Sequence, residues 1–218
     1  MTTEEQTQVQ DNGSKQLTDF ILKGDHENAA RVALELVAKS GTANDVVDTI
    51  SDAMNIVSDL HGMERYSVED VGKCENAAEK SLEAVRPKIK IDRKKIKGRV
   101  MVGSLLEDPH SFDQTLLLTM LETGGFNAID GGTDLSPEQV AGKVKKHKPD
   151  ILAVPLVTEA AARKLVKANT LIEDTGGKLS IIAYGRGAQS LSGQKFTTVE
   201  VDSMSAFSKI AEILIAKA

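Results

Sequence analysis

Aromatic residues and cysteine are scarce in this chain of 218 residues. It has no tryptophan, two tyrosines and five phenylalanines. Aliphatic side chains must therefore form the core, and a large planar ligand would find few rings to stack on. The single cysteine, Cys74, excludes an intramolecular disulfide and any zinc or iron–sulfur site built from cysteines.

An excess of basic charge and long apolar runs are also missing. The chain has 27 Lys and Arg against 32 Asp and Glu, a net charge of -5, whereas a nucleic-acid binder needs a basic face. No apolar run approaches the roughly 20 residues of a membrane span. The N-terminal segment is polar and acidic, unlike a secretory signal. We therefore expect a cytoplasmic protein that binds neither nucleic acid nor membrane.

The first part of the chain has the periodicity of helices. Across residues 15–86, apolar residues recur every three or four positions in four successive stripes, which predicts a four-helix bundle. Asn44 and Ser67 are the expected N-caps of the third and fourth helices. The polar residues 1–14 are expected to form a disordered tail. Residues 87–97, PKIKIDRKKIK, are strongly basic and predict a solvated linker, with a docking patch for a partner as the alternative.

The period changes over residues 98–218. Five short β-rich runs alternate with longer helical stretches. This alternation predicts a five-stranded parallel, doubly wound sheet of the α/β Rossmann-like (flavodoxin-like) class. Ligands of such sheets bind beyond the carboxyl ends of the strands. The rule selects the loops after strands one, three and four, which contain residues 107–113, 154–158 and 185–188.

The loop after strand one combines an aspartate with a histidine. Asp108 and His110 precede a helix that Ser111 can cap, with Gln114 as its capping-box partner. The carboxylate can accept a hydrogen bond from one ring nitrogen and leave the other free to bind a metal. Taken alone, the pair also fits an ordinary helix start.

Glycine-rich segments give a weaker signal. There is neither a GxGxxG after the first strand nor a GxxxxGK[ST], so the usual phosphate cradles are missing. Gly185-x-Gly187 after strand four either allows close backbone approach to a bulky group or forms a tight turn.

The bundle, the linker and an α/β half with Asp-x-His after its first strand together resemble the corrinoid proteins of anaerobic methyltransferase systems. They are also similar to the cobalamin-binding module of methionine synthase. That family has an Asp-x-His-x-x-Gly motif, then Ser-x-Leu, then Gly-Gly. Asp108 and His110 match, whereas Asp113 replaces the glycine of the motif. Ser-x-Leu falls on residues 154–156, Val-Pro-Leu, and Gly-Gly falls on Gly185-Arg186.

The resemblance implies a cobalamin cofactor whose own base is detached, with His110 as the lower axial ligand of cobalt and Asp108 beside it. The detached nucleotide tail would lie in a cleft between the loops after strands one, three and four. Several residues depart from the family pattern, so the cleft is either rebuilt, with Arg186 meeting the tail phosphate, or binds the tail weakly. The cofactor-binding candidates on these loops are Asp108, Pro109, His110, Ser111, Phe112, Asp113, Val154, Leu156, Thr158, Gly185, Arg186 and Gly187.

In the bundle, the segment from Met54 to His61 resembles the helix that covers the cofactor. Met54, His61 and the following Val68 are the candidates for contact with the upper face. For Met54 the alternative is a place in the bundle core, as it is for Val57. For His61 the alternative to a polar cap is a surface position at a helix end.

The function that the resemblance implies is that of a methyl carrier without catalytic residues of its own. A substrate-specific methyltransferase would supply the methyl group, and a second methyltransferase would pass it to tetrahydrofolate or a thiol. A corrinoid reductive activase is a further implied partner. The alternatives are a cobalamin- or light-sensing regulatory protein and a non-catalytic interaction protein whose cobalamin site has decayed.

Overall fold

A computed structural model of the chain describes residues 3–40, 42–90, 96–108, 111–174, 176 and 179–216, without the side chains of residues 3–11 and 111. The chain divides into two compact units, Met1–Lys90 and Ile91–Ala218. The division lies within residues 87–97, the segment with the composition of a linker. In the part of the chain that the structure describes, no helix is long and apolar enough to cross a membrane.

Four helices form the first unit, which confirms the predicted helical bundle. Their facing stripes bury small and medium aliphatic side chains, among them Val32, Ile50 and Leu82, which are at most 2% exposed. Aliphatic packing thus takes the place of aromatic side chains in this core. The helices are α1 Thr3–Leu22, α2 His26–Ser40, α3 Asn44–Gly62 and α4 Val68–Val85.

The helix starts differ in part from the prediction. Ser67 caps α4 as expected, since its hydroxyl accepts a hydrogen bond from the backbone N–H of Asp70 at 3.2 Å. The N-cap of α3 is Ala43 rather than Asn44, and no side chain caps it. Helix α1 begins at Thr3, within the residues 1–14 expected to form a disordered tail. The Glu and Gln residues of that segment are good helix formers, and acidic residues stabilise a helix N-terminus.

The second unit is a five-stranded parallel sheet with the order β2-β1-β3-β4-β5. This is the strand order of flavodoxin-like sheets, so the predicted fold class is confirmed. A short 3-10 helix, Arg186–Leu191, stands between β4 and β5. The other elements in chain order are β1 Arg99–Leu105, α5 Ser111–Thr123, β2 Asn127–Leu135, α6 Pro137–His147, β3 Ile151–Pro155, α7 Glu159–Asp174, β4 Ser180–Tyr184, β5 Thr197–Glu200 and α8 Ser203–Ile215.

Helices cover both faces of the sheet. Buried side chains of α5 and α8 pack on one face, and those of α6 and α7 pack on the other. All five residues of β3 are buried, as expected of a central strand between two helical layers. The helices that follow β1 and β3, which are α5 and α7, therefore lie on opposite faces of the sheet.

The loops after β3 and β4 touch through backbone atoms at Gly187. The N–H of Gly187 donates to the carbonyl oxygen of Leu156 at 2.9 Å. A Cβ atom at Gly187 would lie 2.6 Å from both the nitrogen of Thr158 and the carbonyl carbon of Val157. Glycine is therefore required here for the contact between two loops of the chain itself.

We expect Gly187→Ala to lower the free energy of unfolding by about 1–3 kcal/mol, because the added methyl group meets backbone atoms that cannot move away as a side chain could. Gly142→Ala is the matched control, since a Cβ at this helical position meets nothing within 4 Å. The control should raise stability by up to about 1 kcal/mol through helix propensity. Denaturant unfolding followed by circular dichroism measures both changes. Equal effects of the two substitutions would contradict the assigned packing.

Candidate functional site

The sheet has its topological switch point between β1 and β3. These two strands are neighbours, and the helices that follow them, α5 and α7, lie on opposite faces. The loops after the two strands therefore diverge and form the edge of the sheet at which ligands of open α/β folds bind. Asp108 and Val157 lie on these two loops.

Asp108 joins the two loops through a buried hydrogen bond. Asp108 is buried, with 3% of its surface exposed. Its two carboxylate oxygens lie 3.0 and 3.3 Å from the backbone nitrogen of Val157, which donates to them. A buried carboxylate is costly unless it accepts hydrogen bonds, so this contact determines where the loop after β1 begins. The predicted partners Pro109 and His110 lie outside the described residues, as does the side chain of Ser111.

A lysine from α7 also holds this loop. The ammonium group of Lys164 donates to the carbonyl oxygen of Leu106 at 2.6 Å and to the carboxylate of Glu107 at 2.7 Å. The hydrogen bond and charge of Lys164 lower the pKa of Glu107. Glu107 has a φ of 65°, a conformation that costs a non-glycine residue free energy and persists where neighbouring contacts hold it. Lys164 therefore stabilises the loop shape that leads into Asp108.

Gln114 occupies the first turn of α5 beneath this loop. It is 3% exposed, and its amide nitrogen donates to the carboxylate of Asp130 on β2 at 2.9 Å. Its side chain thus contacts β2, whereas the expected capping box with Ser111 involves a side chain outside the described residues. The buried amide oxygen Oε1 has no hydrogen-bond partner among the residues that the structure describes. Such an acceptor is rare in a folded interior and marks a place that a donor would complete.

Asp113 and Tyr184 connect the start of α5 to the end of β4. The Tyr184 hydroxyl donates to the backbone carbonyl oxygen of Asp113 at 3.1 Å. The Ser203 hydroxyl at the start of α8 lies 3.4 Å from the Asp113 carboxylate, to which it donates. Tyr184 is 1% exposed. Burial raises its pKa well above the usual value, and the negative charge of Asp113 raises it further.

The remaining candidates on the loops after β3 and β4 are partly structural. Val154 and Leu156 are buried, and the Thr158 hydroxyl caps α7 by accepting from the N–H of Ala161 at 3.1 Å. Gly185 has a φ of 96°, and a Cβ there would lie 2.8 Å from the carbonyl oxygen of Leu156. The structure shows both alternatives for these glycines: the N–H of Ala188 donates to the carbonyl oxygen of Gly185 at 3.1 Å and closes a turn, and both glycines closely approach the backbone of the neighbouring loop. Arg186 is exposed at the start of the 3-10 helix.

The candidates in the bundle lie along α3 and at the start of α4. Met54 is half-buried, whereas Val57 is buried in the bundle core. His61 is exposed, and its Nδ1 lies 2.9 Å from the carbonyl oxygen of Tyr66. Because a carbonyl oxygen only accepts, Nδ1 carries the hydrogen of this contact. Val68 is 78% exposed, and Met63 close by is 66% exposed.

Sequence reasoning missed three residues of this site: Gln114 as a buried acceptor, Lys164 as the anchor of the loop, and Tyr184. None lies in a motif. The available signal for Tyr184 was its place at the end of a predicted strand next to Gly185, at the edge of the sheet where ligands bind.

The raised pKa of Tyr184 predicts a loss of stability in alkali. Unfolded tyrosine titrates near pH 10, whereas folded Tyr184 keeps its proton to higher pH. Its stabilising contribution is therefore complete below about pH 10. It should fall by about 1.4 kcal/mol for each pH unit above that, until the folded pKa is reached. Tyrosinate absorbance and denaturant unfolding between neutral and alkaline pH measure this.

Tyr184→Phe is the control for this prediction, because it keeps the ring and removes the titrating hydroxyl. It should abolish the tyrosine-specific part of the alkaline loss. The other tyrosine, Tyr66, is less buried, so it should ionise while the protein is still folded. Ionisation of Tyr184 near pH 10 in the folded protein would contradict the assignment.

The chain is similar to known proteins both in sequence and in fold. The family model of the B12 binding domain matches residues 14–86, the helical bundle. Trimethylamine corrinoid protein 2 of Methanosarcina mazei is 26% identical over 140 residues, which are 63% of this chain and 62% of that protein. The methanol–corrinoid protein of Methanosarcina barkeri is 27% identical over 124 residues, 56% of this chain and 48% of that protein. The matches thus span about three fifths and about half of these two relatives.

Two solved structures are similar in fold. The monomethylamine corrinoid protein of Methanosarcina barkeri has a TM-score of 0.72 at 18% identity, covering 90% of this chain and 96% of that one. The methanol:cobalamin methyltransferase complex of the same organism has a TM-score of 0.53 at 20% identity, covering 100% and 86%. The B12-domain match and the corrinoid relatives support the predicted cobalamin cofactor. The resemblance inferred from the sequence is thereby confirmed: residues 14–86 match a B12-binding domain, and the chain is similar to corrinoid proteins of methyltransferase systems.

Proposed function

We propose that this protein is a corrinoid methyl carrier in which His110 is the lower axial ligand of cobalt. The similarity to methylamine and methanol corrinoid proteins supports the carrier role. The observation that carries the assignment of the site is the buried carboxylate of Asp108, held at the switch point by the N–H of Val157. It lies two residues before His110 in the chain, on the edge of the sheet where ligands of this fold bind.

Asp108 has the chemistry to orient a histidine ligand. A carboxylate that accepts one backbone N–H still has lone pairs for a ring N–H of His110. Accepting from one ring nitrogen would select the tautomer whose other nitrogen binds cobalt, and would make that nitrogen more basic. The bound corrinoid itself supplies the cobalt that accepts and releases the methyl group. The chain's own part is to hold the imidazole in place.

The residues around Asp108 fit a corrin ring in a second respect. The periphery of corrinoids carries amide side chains, whose N–H groups are donors. The buried Oε1 of Gln114 in the first turn of α5 has no partner among the described residues, and it is an acceptor of the kind that such a donor would complete. The region thus offers one carboxylate to orient a ligand and one buried amide oxygen to accept from the macrocycle.

We extend the proposal to the helical unit. Met54, His61 and Val68 would contact the upper face of the corrin. Their side chains are accessible for such a contact, since Met54 is half-buried, His61 is exposed and Val68 is 78% exposed. The basic segment 87–97 would allow this unit to move aside for a partner.

The proposed partners are two methyltransferases, one specific for the methyl donor and one for the acceptor, and a corrinoid reductive activase. One of the similar structures is a methanol:cobalamin methyltransferase complex, which supports a partner of the first kind. The chemistry of the donor would then be determined by that partner.

The axial ligand is tested with the full chain reconstituted with a corrinoid and reduced to the Co(II) state. The wild-type protein should show nitrogen coupling in its electron paramagnetic resonance spectrum, and His110→Ala should lose it because no imidazole then binds cobalt. His26→Ala removes an exposed histidine at the start of α2 and should retain the coupling. Coupling that persists in His110→Ala would overturn the ligand assignment. Failure of the wild-type chain to bind any corrinoid would favour the interaction protein with a decayed site.

Lys164 provides a second test through the shape of the loop. Lys164→Met should raise the Kd for a corrinoid about tenfold. It removes two hydrogen bonds that order the loop, each contributing about 0.5–1.5 kcal/mol, and part of that loss falls on binding. Lys167→Met is the matched control on the same helix, since it breaks the ion pair with Glu138, which is not part of the candidate loops. Spectroscopic titration measures both, and equal Kd values for the two variants would contradict the role of Lys164.

A further inference from the structure

Hydrogen bonds join the loops after β1, β3 and β4 to one another. Asp108 bridges to Val157, and the N–H of Leu156 donates to the carbonyl oxygen of Tyr184 at 2.8 Å. The N–H of Gly187 donates back to Leu156 at 2.9 Å. This is the region in which the family resemblance places the nucleotide tail of a complete corrinoid. Backbone atoms of the neighbouring loops are in direct contact across it.

Tyr184 closes the part of this region that faces α5 and α8. Its ring is buried in the core cluster formed with side chains of these helices, such as Leu117 and Ala206. Its hydroxyl is tied to the backbone of Asp113 at 3.1 Å. The phenol ring is planar and similar in kind to the base at the end of a nucleotide tail. A tail could enter here only if this ring left its place in the core.

The charge of the same region is also unfavourable for a tail. Asp113 replaces the glycine of the family motif, and Ser203 donates to its carboxylate at 3.4 Å. The nucleotide tail of a complete corrinoid contains a phosphodiester with a negative charge. A half-buried carboxylate beside it repels that charge. The volume of the Tyr184 ring and the charge of Asp113 therefore both disfavour the binding of a nucleotide tail.

We propose that Tyr184 is a specificity-determining residue that excludes the nucleotide tail, so that this protein prefers a corrinoid without one, of the cobinamide class. This inference rests on the proposed function, since it concerns the form of the corrinoid bound at the same site. A corrinoid without a nucleotide has no base of its own at the lower face of cobalt. His110 then meets no competing ligand of the cofactor.

The test compares the binding of aquocobinamide and hydroxocobalamin to the full chain by absorbance titration. The wild-type protein should bind cobinamide at least tenfold more tightly. Tyr184→Phe keeps the ring, so it should preserve this ratio. Tyr184→Ala removes the ring and should reduce the ratio at least threefold by admitting the tail. Circular dichroism establishes that each variant is folded.

Hydroxocobalamin binding as tightly as cobinamide in the wild-type chain would overturn the inference, whether or not the alanine variant folds. An unchanged ratio in folded Tyr184→Ala would overturn the role of Tyr184. Failure of both corrinoids to bind would instead overturn the proposed function. The two failures are therefore distinguishable in one set of titrations.

Discussion

The hydrogen bond from the N–H of Val157 to the buried carboxylate of Asp108 is the contact on which the geometry of the site depends. The loops after β1 and β3 leave the sheet toward opposite faces, so nothing in the strand ladder itself holds them together beyond the last paired residues. A carboxylate that is 3% exposed needs a donor. The nearby backbone N–H of Val157 supplies it and thereby determines where the segment leading to His110 starts. Lys164 adds a second attachment through Leu106 and Glu107.

The architecture could be predicted because it depends on periodicity. Four apolar stripes gave the helices of the bundle, and five alternating β-rich runs gave the parallel sheet, whose order then follows a known winding rule. The loop with Asp108 could also be predicted, because it follows directly from the end of a strand that is buried on both faces.

The contacts that close the site could not be predicted in the same way. Tyr184 bonds to a residue 71 positions earlier in the chain, and Asp108 to one 49 positions later. Such pairs depend on strand register and on the course of the loops, which local patterns do not determine. For the same reason, the sequence could not show which group lies close to Gly185 and Gly187. Glycine permits close approach, but which group approaches is decided by the position of the neighbouring loop.

The scarcity of aromatic residues gives the position of Tyr184 its significance. The described aromatic pair, Phe126 and Phe207, packs edge to face at 6.1 Å between the sheet and α8 and belongs to the core cluster. Tyr184 belongs to the same cluster, but it stands at the carboxyl edge with a polar end tied to Asp113. If position 184 only filled the core, an aliphatic residue would suffice there, as aliphatic residues do elsewhere in this chain. A ring with a hydrogen-bonding end, at the edge of the sheet where ligands of this fold bind, instead fills a planar space in a fixed orientation.

In our proposals, the position of Tyr184 and the Asp-x-His pair favour the same form of the cofactor, a corrinoid without a nucleotide. A corrinoid that carries a base can use it as a lower ligand, and the base competes with His110 at a high effective concentration because it is tethered to the ring. A protein overcomes that competition by giving the displaced tail a favourable place to bind. In our proposal, the corresponding place is occupied by the buried ring of Tyr184, whose hydroxyl is bonded to Asp113. The proposed imidazole ligand would therefore bind cobalt most readily in a corrinoid that carries no base. The closed cleft would not weaken the binding of such a corrinoid, because it has no tail to place there.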